Sequence, residues 1–508
     1  MPESLRNYQI DDLAFMIGHD RCALLHDPGC GKTPPVCVYI EMLWKEFGTK
    51  SYWVMPKSLL RKNKEELMRF SNLTASEIQI IDGTAKERAI QMGNMNAKVF
   101  LMGFKRFADD WETLLKIHPD LDTLFVDEIH MGFKTHDSQR TKQFFKCMRK
   151  IKKFVAMSGT LIDGRLDSCY PTIHVIEPRY YANYYSFRAQ HAIVDEFGTV
   201  LQWINHAKLG FIFKKHCIRR TFKEVYGDEQ KVILPELCEM HPKQRQAYEE
   251  FEAQAILELD DGFLEGFNPA VAAMRCRQIM AHPETFGLLQ AGEITGKDEA
   301  LLVHLEDHKN RNFEPILIYS PLVAEQERIA KLCEAQGFTV GLINGNVSAE
   351  RRGQIDVDFQ QGRINCVVAS PATASVGFNW GHVNHVVFAS LDYQNVNFVQ
   401  AYRRAIRGIR SCPLRITVLE YRNSIDQRIF QIVNKKSSDL HKVDDSYERL
   451  ELGATGEHDL VCSGCGHEDM FEGDNIQDAR QVARECGWSV SAKGICLCPE
   501  CLAKEGKR

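Results

Sequence analysis

The sequence predicts an α/β protein in which two parallel-sheet lobes are joined by a mostly helical segment and followed by a small cysteine-containing unit. Short apolar runs alternate with helical patterns from the N-terminus to about residue 165, as in a doubly wound parallel sheet. A second alternating series begins at residue 316 and continues to residue 421. With 508 residues and 44% hydrophobic content, the chain is long enough for two or three domains with their own cores.

These patterns divide the chain into four predicted parts. They are a first lobe (1–165), a helical insertion or linker (166–300), a second lobe (301–445) and a C-terminal unit (455–508). The runs that predict strands of the first lobe are SYWVMP, KVFLMGF, TLFVDE and KFVAMSGT. Those of the second lobe are ILIYS, FTVGLING, INCVVAS, HVVFAS and RITVLEY.

The first functional signal is a phosphate-binding loop. The stretch HDPGCGKT, residues 26–33, follows an apolar run and precedes a helical pattern. Gly29 and Gly31 are therefore predicted to lie on a strand-to-helix turn, where backbone N–H groups can face phosphate. Lys32 is expected to reach the β- and γ-phosphates of ATP, and the Thr33 hydroxyl to ligate the Mg²⁺ that bridges them. The stretch begins with histidine where such loops usually begin with glycine, and an isolated match of this kind can arise by chance.

An acidic pair about a hundred residues later strengthens this interpretation. In LFVDEIH, residues 124–130, an apolar strand ends in Asp127 and Glu128. Ligands bind at the carboxyl ends of strands in α/β folds, so Asp127 is predicted to hold Mg²⁺ through water. Glu128 is predicted to orient or deprotonate the attacking water. The alternative is a solvated acidic pair that closes a strand.

Two arginines of the second lobe are predicted to complete the hydrolytic site. With the phosphate loop on the first lobe, ATP is expected to bind in the cleft between the lobes. Arg404 and Arg407 are three residues apart on a predicted helix and would share a face that points at the γ-phosphate. Such arginine fingers act only when the cleft closes, which couples hydrolysis to lobe movement.

Composition narrows the class of protein and its partners. No apolar run approaches 18 residues and the N-terminus lacks the pattern of a signal peptide, so we expect an intracellular, cytoplasmic protein. The formal net charge is −5, so any nucleic-acid binding must be local. The basic runs at residues 213–220 and 400–415 are either phosphate-contacting surfaces or solvated faces.

The order and spacing of these motifs resemble those of superfamily 2 helicases and, among them, Swi/Snf-type DNA translocases, over about residues 3–440. LRNYQ is similar to the adenine-reading element of that family, which implies a contact from Gln9. ASPATASVGFNW is similar to the second-lobe motif around Gly377. QAYRRAIRGIR matches the arginine-finger motif at Gln400, Arg404 and Arg407. The resemblance implies two RecA-like lobes, ATP hydrolysis with Mg²⁺, and DNA as the partner.

Further passages resemble the same family. WVMPKSLLRKNKEEL is similar to the motif that meets the DNA backbone, and SGT at residues 158–160 to the motif that links hydrolysis to DNA movement. CIRRTFKEV and RQIMAHPETF resemble linkers of the Swi/Snf branch. The chain departs from the family at Arg403, where the family usually has aspartate, and at residues 408–410, which read GIR instead of I-G-Q. The compact form is more similar to phage or bacterial enzymes that process branched DNA, which would act in the host cytoplasm if phage-encoded.

The C-terminal cysteines have the spacing of a zinc ribbon. Cys462 and Cys465 form one knuckle and Cys498 and Cys501 another, and 32 residues separate the two. A segment this small has too little core to fold alone, which favours a structural Zn²⁺ that helps it grip DNA or a partner. The alternative is two unrelated cysteine pairs. Three further residues could replace one of the ligands: His467, Cys486 and Cys496.

A tyrosine-rich segment follows the first lobe. RYYANYYSFR, residues 179–188, interleaves tyrosines with arginines. Such aromatic side chains either stack on unpaired bases and wedge a junction open, or pack inside a helical insertion. If they form a wedge, replacing Tyr184 and Tyr185 with alanine should weaken strand separation more than ATP hydrolysis.

These observations predict an ATP-dependent DNA helicase or translocase. It would act on branched or forked DNA, by unwinding or branch migration, in replication, recombination or repair, with replication or recombination proteins as further partners. One alternative is a duplex translocase that remodels protein–DNA complexes without separating strands. Another is a DNA-binding regulator switched by nucleotide, although a switch does not need the full hydrolytic set.

Overall fold

Two parallel sheets with flanking helices make up most of the computed structural model of the protein. The chain divides into a main unit, Met1–Lys231 with Glu236–Arg449, and a small unit, Val232–Pro235 with Leu450–Arg508. The structure describes residues 3–508 except 163–164, 229, 261–268, 291–292, 375–376, 394, 407–409, 411, 431–432, 434–442, 444–455, 462–467, 474–487, 491–495, 499–500 and 503–508.

The first lobe is built on a seven-stranded parallel sheet in the order β3-β4-β2-β5-β6-β1-β9. Every residue of the interior strand β2 is buried, which explains why residues 52–55 form an apolar run with no alternation. All four predicted runs of this lobe contain a strand. Its strands are β1 (Arg21–His26), β2 (Lys50–Met55), β3 (Ile78–Ile81), β4 (Val99–Gly103), β5 (Leu121–Asp127), β6 (Lys153–Ser158) and β9 (Cys217–Arg220).

Seven helices pack on the two faces of this sheet. Thr84 begins one of them with a capping box, in which its side chain accepts a hydrogen bond from the Glu87 N–H. Pro34 and Pro35 lie in the first turn of another, where a missing N–H leaves no helical bond unmade. The helices are α1 (Asn7–Gly18), α2 (Thr33–Phe47), α3 (Leu60–Phe70), α4 (Ala85–Met92), α5 (Phe104–Ile117), α6 (Ile129–Gly132) and α7 (Gln139–Met148).

The segment predicted to be mostly helical contains strands as well. Strand β9 lies beside β1 at the edge of the first sheet, so the first lobe uses residues well beyond 165. Its sequence, CIRR, has no apolar run, which is why the pattern did not predict it. The strands are β7 (Ala192–Val194), β8 (Val200–Trp203) and β10 (Lys231–Cys238). The helices are α8 (Tyr170–Ile176), α9 (Tyr184–His191), α10 (His206–His216), α11 (Phe222–Tyr226), α12 (Pro242–Asp260) and α13 (Pro269–Ala281).

The second lobe has a six-stranded sheet in the order β10-β15-β14-β11-β13-β12. The pairs formed by β11 to β15 are parallel, and each of the five predicted runs contains a strand. The strands are β11 (Ile316–Tyr319), β12 (Val340–Ile343), β13 (Cys366–Ala369), β14 (His385–Phe388) and β15 (Leu414–Tyr421). The helices are α14 (Gly296–Asn310), α15 (Val323–Ala335), α16 (Ala349–Gln360), α17 (Pro371–Ala374) and α18 (Asn395–Tyr402).

The small unit consists of short antiparallel pairs. Strands β16 (Gly456–Val461) and β17 (Glu468–Gly473) form one pair, and β18 (Ser489–Val490) and β19 (Cys496–Leu497) form another. Across the described part of the chain, no helix has the length and apolar character needed to cross a membrane.

Candidate nucleotide site

The phosphate loop lies between β1 and α2, as the sequence predicts. Gly29 and Gly31 have φ angles of 91° and 67°, in the left-handed region that favours glycine. A Cβ atom at Gly31 would lie 2.6 Å from Nε2 of Gln9, so a side chain at this position would displace the Gln9 amide. The Lys32 ammonium donates a hydrogen bond to the His26 carbonyl, 3.0 Å away at the start of the loop. Thr33 is the first residue of α2.

Side chains from outside the loop bind its carbonyl groups. Gln9 donates to the Gly31 carbonyl at 3.0 Å and accepts a bond from the Arg6 N–H at 2.9 Å. The Tyr8 and Tyr226 hydroxyls donate to the carbonyls of Cys30 and Gly29, each at 3.2 Å. These bonds use the carbonyl side of the loop. Gln9 therefore lies against the loop, and its contact with adenine stays a prediction.

Asp127 and Glu128 lie at the carboxyl end of β5, at the same edge of the sheet as the phosphate loop. Asp127 is 6% exposed and accepts bonds from the Asn63 amide at 3.3 Å and from the Glu128 N–H at 3.0 Å. Burial raises the pKa of the Asp127 carboxyl, and Glu128 raises it further, whereas Lys32 and Asn63 act in the opposite direction. A buried and a partly exposed carboxylate in one site fit a divalent cation, since oxygen ligands and negative charge are what Mg²⁺ prefers.

Replacing Asp127 with asparagine is expected to stabilise the nucleotide-free protein. Its folded-state pKa is raised, so stability falls as the pH rises from the unfolded-state pKa through the folded-state pKa. At neutral pH the wild type therefore holds a buried charge that costs roughly 1 to 3 kcal/mol, and the amide does not. Scanning calorimetry without nucleotide should show a higher unfolding temperature for Asp127→Asn at neutral pH and a smaller difference near pH 4. An equal difference at both pH values would contradict this explanation.

A chain of close polar contacts leads from the acidic pair to the SGT segment. His130 Nδ1 lies 3.5 Å from Glu128 Oε2 and 2.8 Å from the Ser158 hydroxyl. Ser158 in turn accepts a bond from the Thr160 N–H at 3.1 Å. A Cβ atom at Gly159 would lie 3.6 Å from Cδ of Pro28, so this segment also abuts the phosphate loop. His130 was not among the predicted site residues, although it follows Glu128 by two positions.

Arg404 belongs to the second lobe, but the charge of Glu128 in the first lobe acts on its pKa. It is 7% exposed, and burial lowers the pKa of its guanidinium, whereas the charge of Glu128 raises it. The predicted helix ends earlier than expected, because α18 stops at Tyr402 and Arg404 lies in the following turn. The Arg404 carbonyl accepts a bond from the Trp380 N–H at 2.8 Å, which fixes this turn within the second lobe. Arg407 lies outside the described residues.

Two other predicted positions of the second lobe are described. Gly377 has a φ of 95°, and its carbonyl accepts a bond from Lys62 of the first lobe at 3.4 Å. Gln400 is 5% exposed on α18. The Gly377 contact brings the second lobe against the segment that resembles the DNA-backbone motif.

At its C-terminal end, the basic run at residues 213–220 is neither a solvated face nor a free cationic surface. Arg219 on β9 donates to Asp27 Oδ1 at 3.0 Å and to the carbonyls of Leu25 and Gly159, each at 3.1 Å. Arg220 donates to Asp12 Oδ1 at 3.0 Å. These arginines therefore serve as counter-ions for buried acids beside the phosphate loop.

Comparison with known proteins identifies the family. Residues 8–285 match the SNF2-related domain, and residues 296–408 match the helicase conserved C-terminal domain. The chain belongs to the SNF2-related family. The Hef helicase domain of Pyrococcus furiosus has the same fold, with a TM-score of 0.52 at 14% identity over 84% of this chain and 97% of that one. The predicted fold of two parallel-sheet α/β lobes is therefore confirmed.

Curated relatives of this SNF2-related protein are longer than it. The DNA annealing helicase and endonuclease ZRANB3 of Mus musculus is 24% identical over 86% of this chain and 41% of its own length. Chromodomain-helicase-DNA-binding protein 1 of Gallus gallus is 23% identical over 85% of this chain and 26% of its own. The chain thus spans less than half of the length of these two relatives.

Two of the four predicted zinc ligands of the SNF2-related chain lie among the described residues. Cys462 and Cys465 lie outside the described residues. Cys498 is 2% exposed directly after β19, and its carbonyl accepts a bond from the Leu502 N–H at 3.0 Å, which places Cys501 in the same turn. Among the residues that the structure describes, no three His, Cys, Asp or Glu side chains are grouped to hold a metal ion.

Proposed function

We propose that this SNF2-related protein is an ATP-dependent motor that unwinds or branch-migrates forked and branched DNA in replication, recombination or repair. The observation that carries the proposal is that both lobes reach the phosphate loop. Arg403 of the second lobe lies 3.0 Å from Asp27 of the first. The charge of Glu128 acts to raise the pKa of the Arg404 guanidinium, against the effect of burial. A site shared in this way converts hydrolysis into movement of one lobe against the other.

The proposed hydrolysis uses residues that the fold brings together. Loop N–H groups around Gly29 and Gly31 bind the phosphates, and Lys32 leaves the His26 carbonyl for the β- and γ-phosphates. Thr33 and Asp127 would hold Mg²⁺, which when bound neutralises charge on the β- and γ-phosphates. Glu128 accepts the proton of the attacking water, and Arg404 stabilises the charge that develops on the γ-phosphate.

The proposed coupling to DNA runs through His130. Its Nδ1 atom lies close to both Glu128 and the Ser158 hydroxyl, at 3.5 Å and 2.8 Å. A change of charge at Glu128 during hydrolysis therefore alters the bond that positions Ser158. Because the SGT segment resembles the motif that links hydrolysis to DNA movement, this chain of contacts supports a motor over a simple nucleotide switch.

The proposed DNA surface includes the region around α3. Lys57 and Arg61 are exposed there, and Lys62 reaches the second lobe at Gly377. Exposed cations at this junction of the lobes fit phosphate contacts of a DNA backbone. The mouse relative, a DNA annealing helicase and endonuclease, also supports a substrate in which single and double strands meet.

The first test is the ATPase rate on single-stranded, duplex, forked and four-way-junction DNA and on RNA, with strand displacement and annealing recorded in parallel. Strongest stimulation by branched DNA, with displacement lost in Lys32→Ala, would support the proposal. Equal stimulation by plain duplex, with triplex displacement but no strand separation, would favour the translocase that remodels protein–DNA complexes. Nucleotide-dependent DNA binding without hydrolysis would favour the regulator.

The tyrosine wedge is proposed for Tyr185 alone. The Tyr184 hydroxyl donates to Asp167 at 2.6 Å and its ring stacks on His136 at 3.6 Å, so Tyr184 packs inside the fold. Tyr185 is 74% exposed. We expect Tyr185→Ala to lower fork unwinding about tenfold and ATP hydrolysis much less, since stacking on a base is worth about 1 to 3 kcal/mol. Tyr185→Phe, which keeps the ring, is the matched control, and equal losses of both activities would reject the wedge.

A zinc ribbon is the further proposal for the C-terminal unit. The burial of Cys498 after β19 supports a knuckle whose other thiolates would be Cys501, Cys462 and Cys465. Elemental analysis should find one zinc per chain, and Cys498→Ser should lose it and become sensitive to proteolysis at the C-terminus. Full zinc content in that variant would point to the alternative ligands, and no zinc in the wild type would reject the site.

A further inference from the structure

Asp27 is a buried carboxylate that joins the two lobes. It is 4% exposed and precedes the first glycine of the phosphate loop by two residues. Its Oδ1 atom accepts bonds from Arg219 and Arg403, both at 3.0 Å, and its Oδ2 atom accepts one from the Phe222 N–H at 3.0 Å. Arg219 and Phe222 belong to the first lobe, whereas Arg403 comes from the second.

The backbone of Asp27 is fixed as firmly as its side chain. Its N–H donates to the Arg220 carbonyl at 2.9 Å, and its carbonyl accepts a bond from the Cys30 N–H at 3.1 Å. Burial alone would raise the pKa of Asp27, but Arg403, Arg219 and the Phe222 N–H together hold that pKa below its ordinary value. Asp27 is therefore an anionic anchor at the base of the loop.

Arg403 is the residue immediately before Arg404. It is 6% exposed, and its N–H donates to the Val399 carbonyl at 3.1 Å, so its backbone continues the end of α18. Both arginines lie in one turn whose far side is held by the bond between the Trp380 N–H and the Arg404 carbonyl. An anchor on Arg403 consequently restricts where Arg404 can point.

We propose that Arg403 is a positioning residue whose ion pair with Asp27 latches the second lobe onto the phosphate loop and directs Arg404 toward the acidic pair. This proposal rests on the proposed ATPase function, and it identifies the ion pair that holds the cleft closed. It is a property of this chain, because the aspartate that the family usually has at this position would repel Asp27. The side chain of Arg403 itself does not contact nucleotide in this proposal.

The test compares Arg403→Gln, Asp27→Asn and the double variant by two measurements. The first is amide hydrogen exchange of residues 396–405 in the nucleotide-free protein, which needs neither ATP nor DNA. Each single variant should speed this exchange about tenfold. The second is ATP hydrolysis with saturating DNA, in which kcat should fall about 100-fold with a smaller change in KM, since the loss is one of alignment.

The double variant decides whether the two residues act as one unit. If they form a latch, the double variant should lose no more than the worse single variant. Arg403→Lys should recover part of kcat, because it keeps the charge but not the planar fork. Arg422→Gln is the matched control, since it breaks an ion pair with Glu239 that is more than half exposed on both sides. It should leave exchange at residues 396–405 as in the wild type.

Three results would overturn the latch. The first is amide hydrogen exchange at the wild-type rate in Arg403→Gln, and the second is additive losses of ATPase activity in the double variant. The third is an Asp27→Asn variant with a lower KM for ATP and an undiminished kcat, which would mean that Arg403 is released to bind phosphate. If the Asp27 variant fails to fold, the latch is tested by amide hydrogen exchange and ATPase kinetics of Arg403→Gln and Arg403→Lys alone. A wild type without ATPase activity but with latch-dependent exchange would reject the proposed function and keep the latch.

Discussion

Glu128→Gln is expected to lower the rate of ATP hydrolysis by about a thousandfold, within the range known for general acid–base catalysis. The amide keeps the size of the side chain but cannot accept the proton of the attacking water. Glu128 has φ 48° and ψ 49°, a left-handed conformation that costs a non-glycine residue about 1 to 3 kcal/mol. Its Oε2 atom is buried without a hydrogen-bond partner among the described residues. A strained backbone and an unsatisfied carboxylate oxygen are typical of a residue held ready for a reactant.

ATP binding should survive in the same variant, because Lys32, Thr33 and Asp127 are intact. Single-turnover hydrolysis and equilibrium binding of a fluorescent ATP analogue would separate the two effects. Asp122→Asn is the matched control on the same strand, since its carboxylate pairs with the exposed Lys152 at 3.0 Å. It should hydrolyse ATP within about twofold of the wild-type rate. A Glu128→Gln variant that keeps more than a tenth of that rate would show that another group accepts the proton.

The parts of the site that the sequence predicted depend on local features. Two glycines at fixed spacing require a left-handed turn, and an apolar strand that ends in two acids places them at the edge of the sheet. Gly29, Gly31 and Lys32 therefore lie where the pattern predicted them, as do Asp127 and Glu128. The same holds for the strands that were predicted, because a parallel strand covered on both faces is a nearly continuous apolar run.

The parts that were missed depend on residues far apart in the chain. Arg219 and Asp27 are separated by almost two hundred positions, and nothing local marks either as the partner of the other. Strand β9 was missed for a related reason, since its two arginines are held by ion pairs and not by apolar packing. The end of α18 at Tyr402 depends on the contact between Trp380 and Arg404, which no helical pattern reports.

Arg403 shows how such a missed contact changes the meaning of a motif. In the sequence, Arg403 stands where the family usually has aspartate, immediately before the predicted arginine finger Arg404. In the structure the departure has a partner, because Asp27 presents a buried carboxylate 3.0 Å away. The departure thus places a cation opposite a buried carboxylate of the other lobe.

Arg404→Ala is expected to lower kcat for ATP hydrolysis by about a thousandfold, the lower end of what arginine fingers contribute. The guanidinium is 7% exposed and comes from the lobe opposite the phosphate loop, so it can stabilise the transition state only in the closed cleft. Arg404→Lys should recover little activity, because an ammonium lacks the fork that binds two phosphate oxygens at once. KM for ATP should change much less than kcat, since a contact made only in the transition state does not hold the substrate.

The comparison with Arg407 makes this prediction sharper, since the sequence assigned the same role to both arginines. ATPase kinetics at saturating DNA would be measured for alanine variants of each, with Arg363→Gln as the control. The Arg363 side chain is 56% exposed and pairs with Asp358 on the surface of the second lobe, so its loss should leave kcat within about twofold. A kcat for Arg404→Ala within threefold of the wild type would mean that Arg404 stays beside the charge of Glu128 and does not move to the γ-phosphate. In that case the cleft would close on nucleotide through the Asp27–Arg403 pair, and the second lobe would supply its catalytic cation from Arg407 alone.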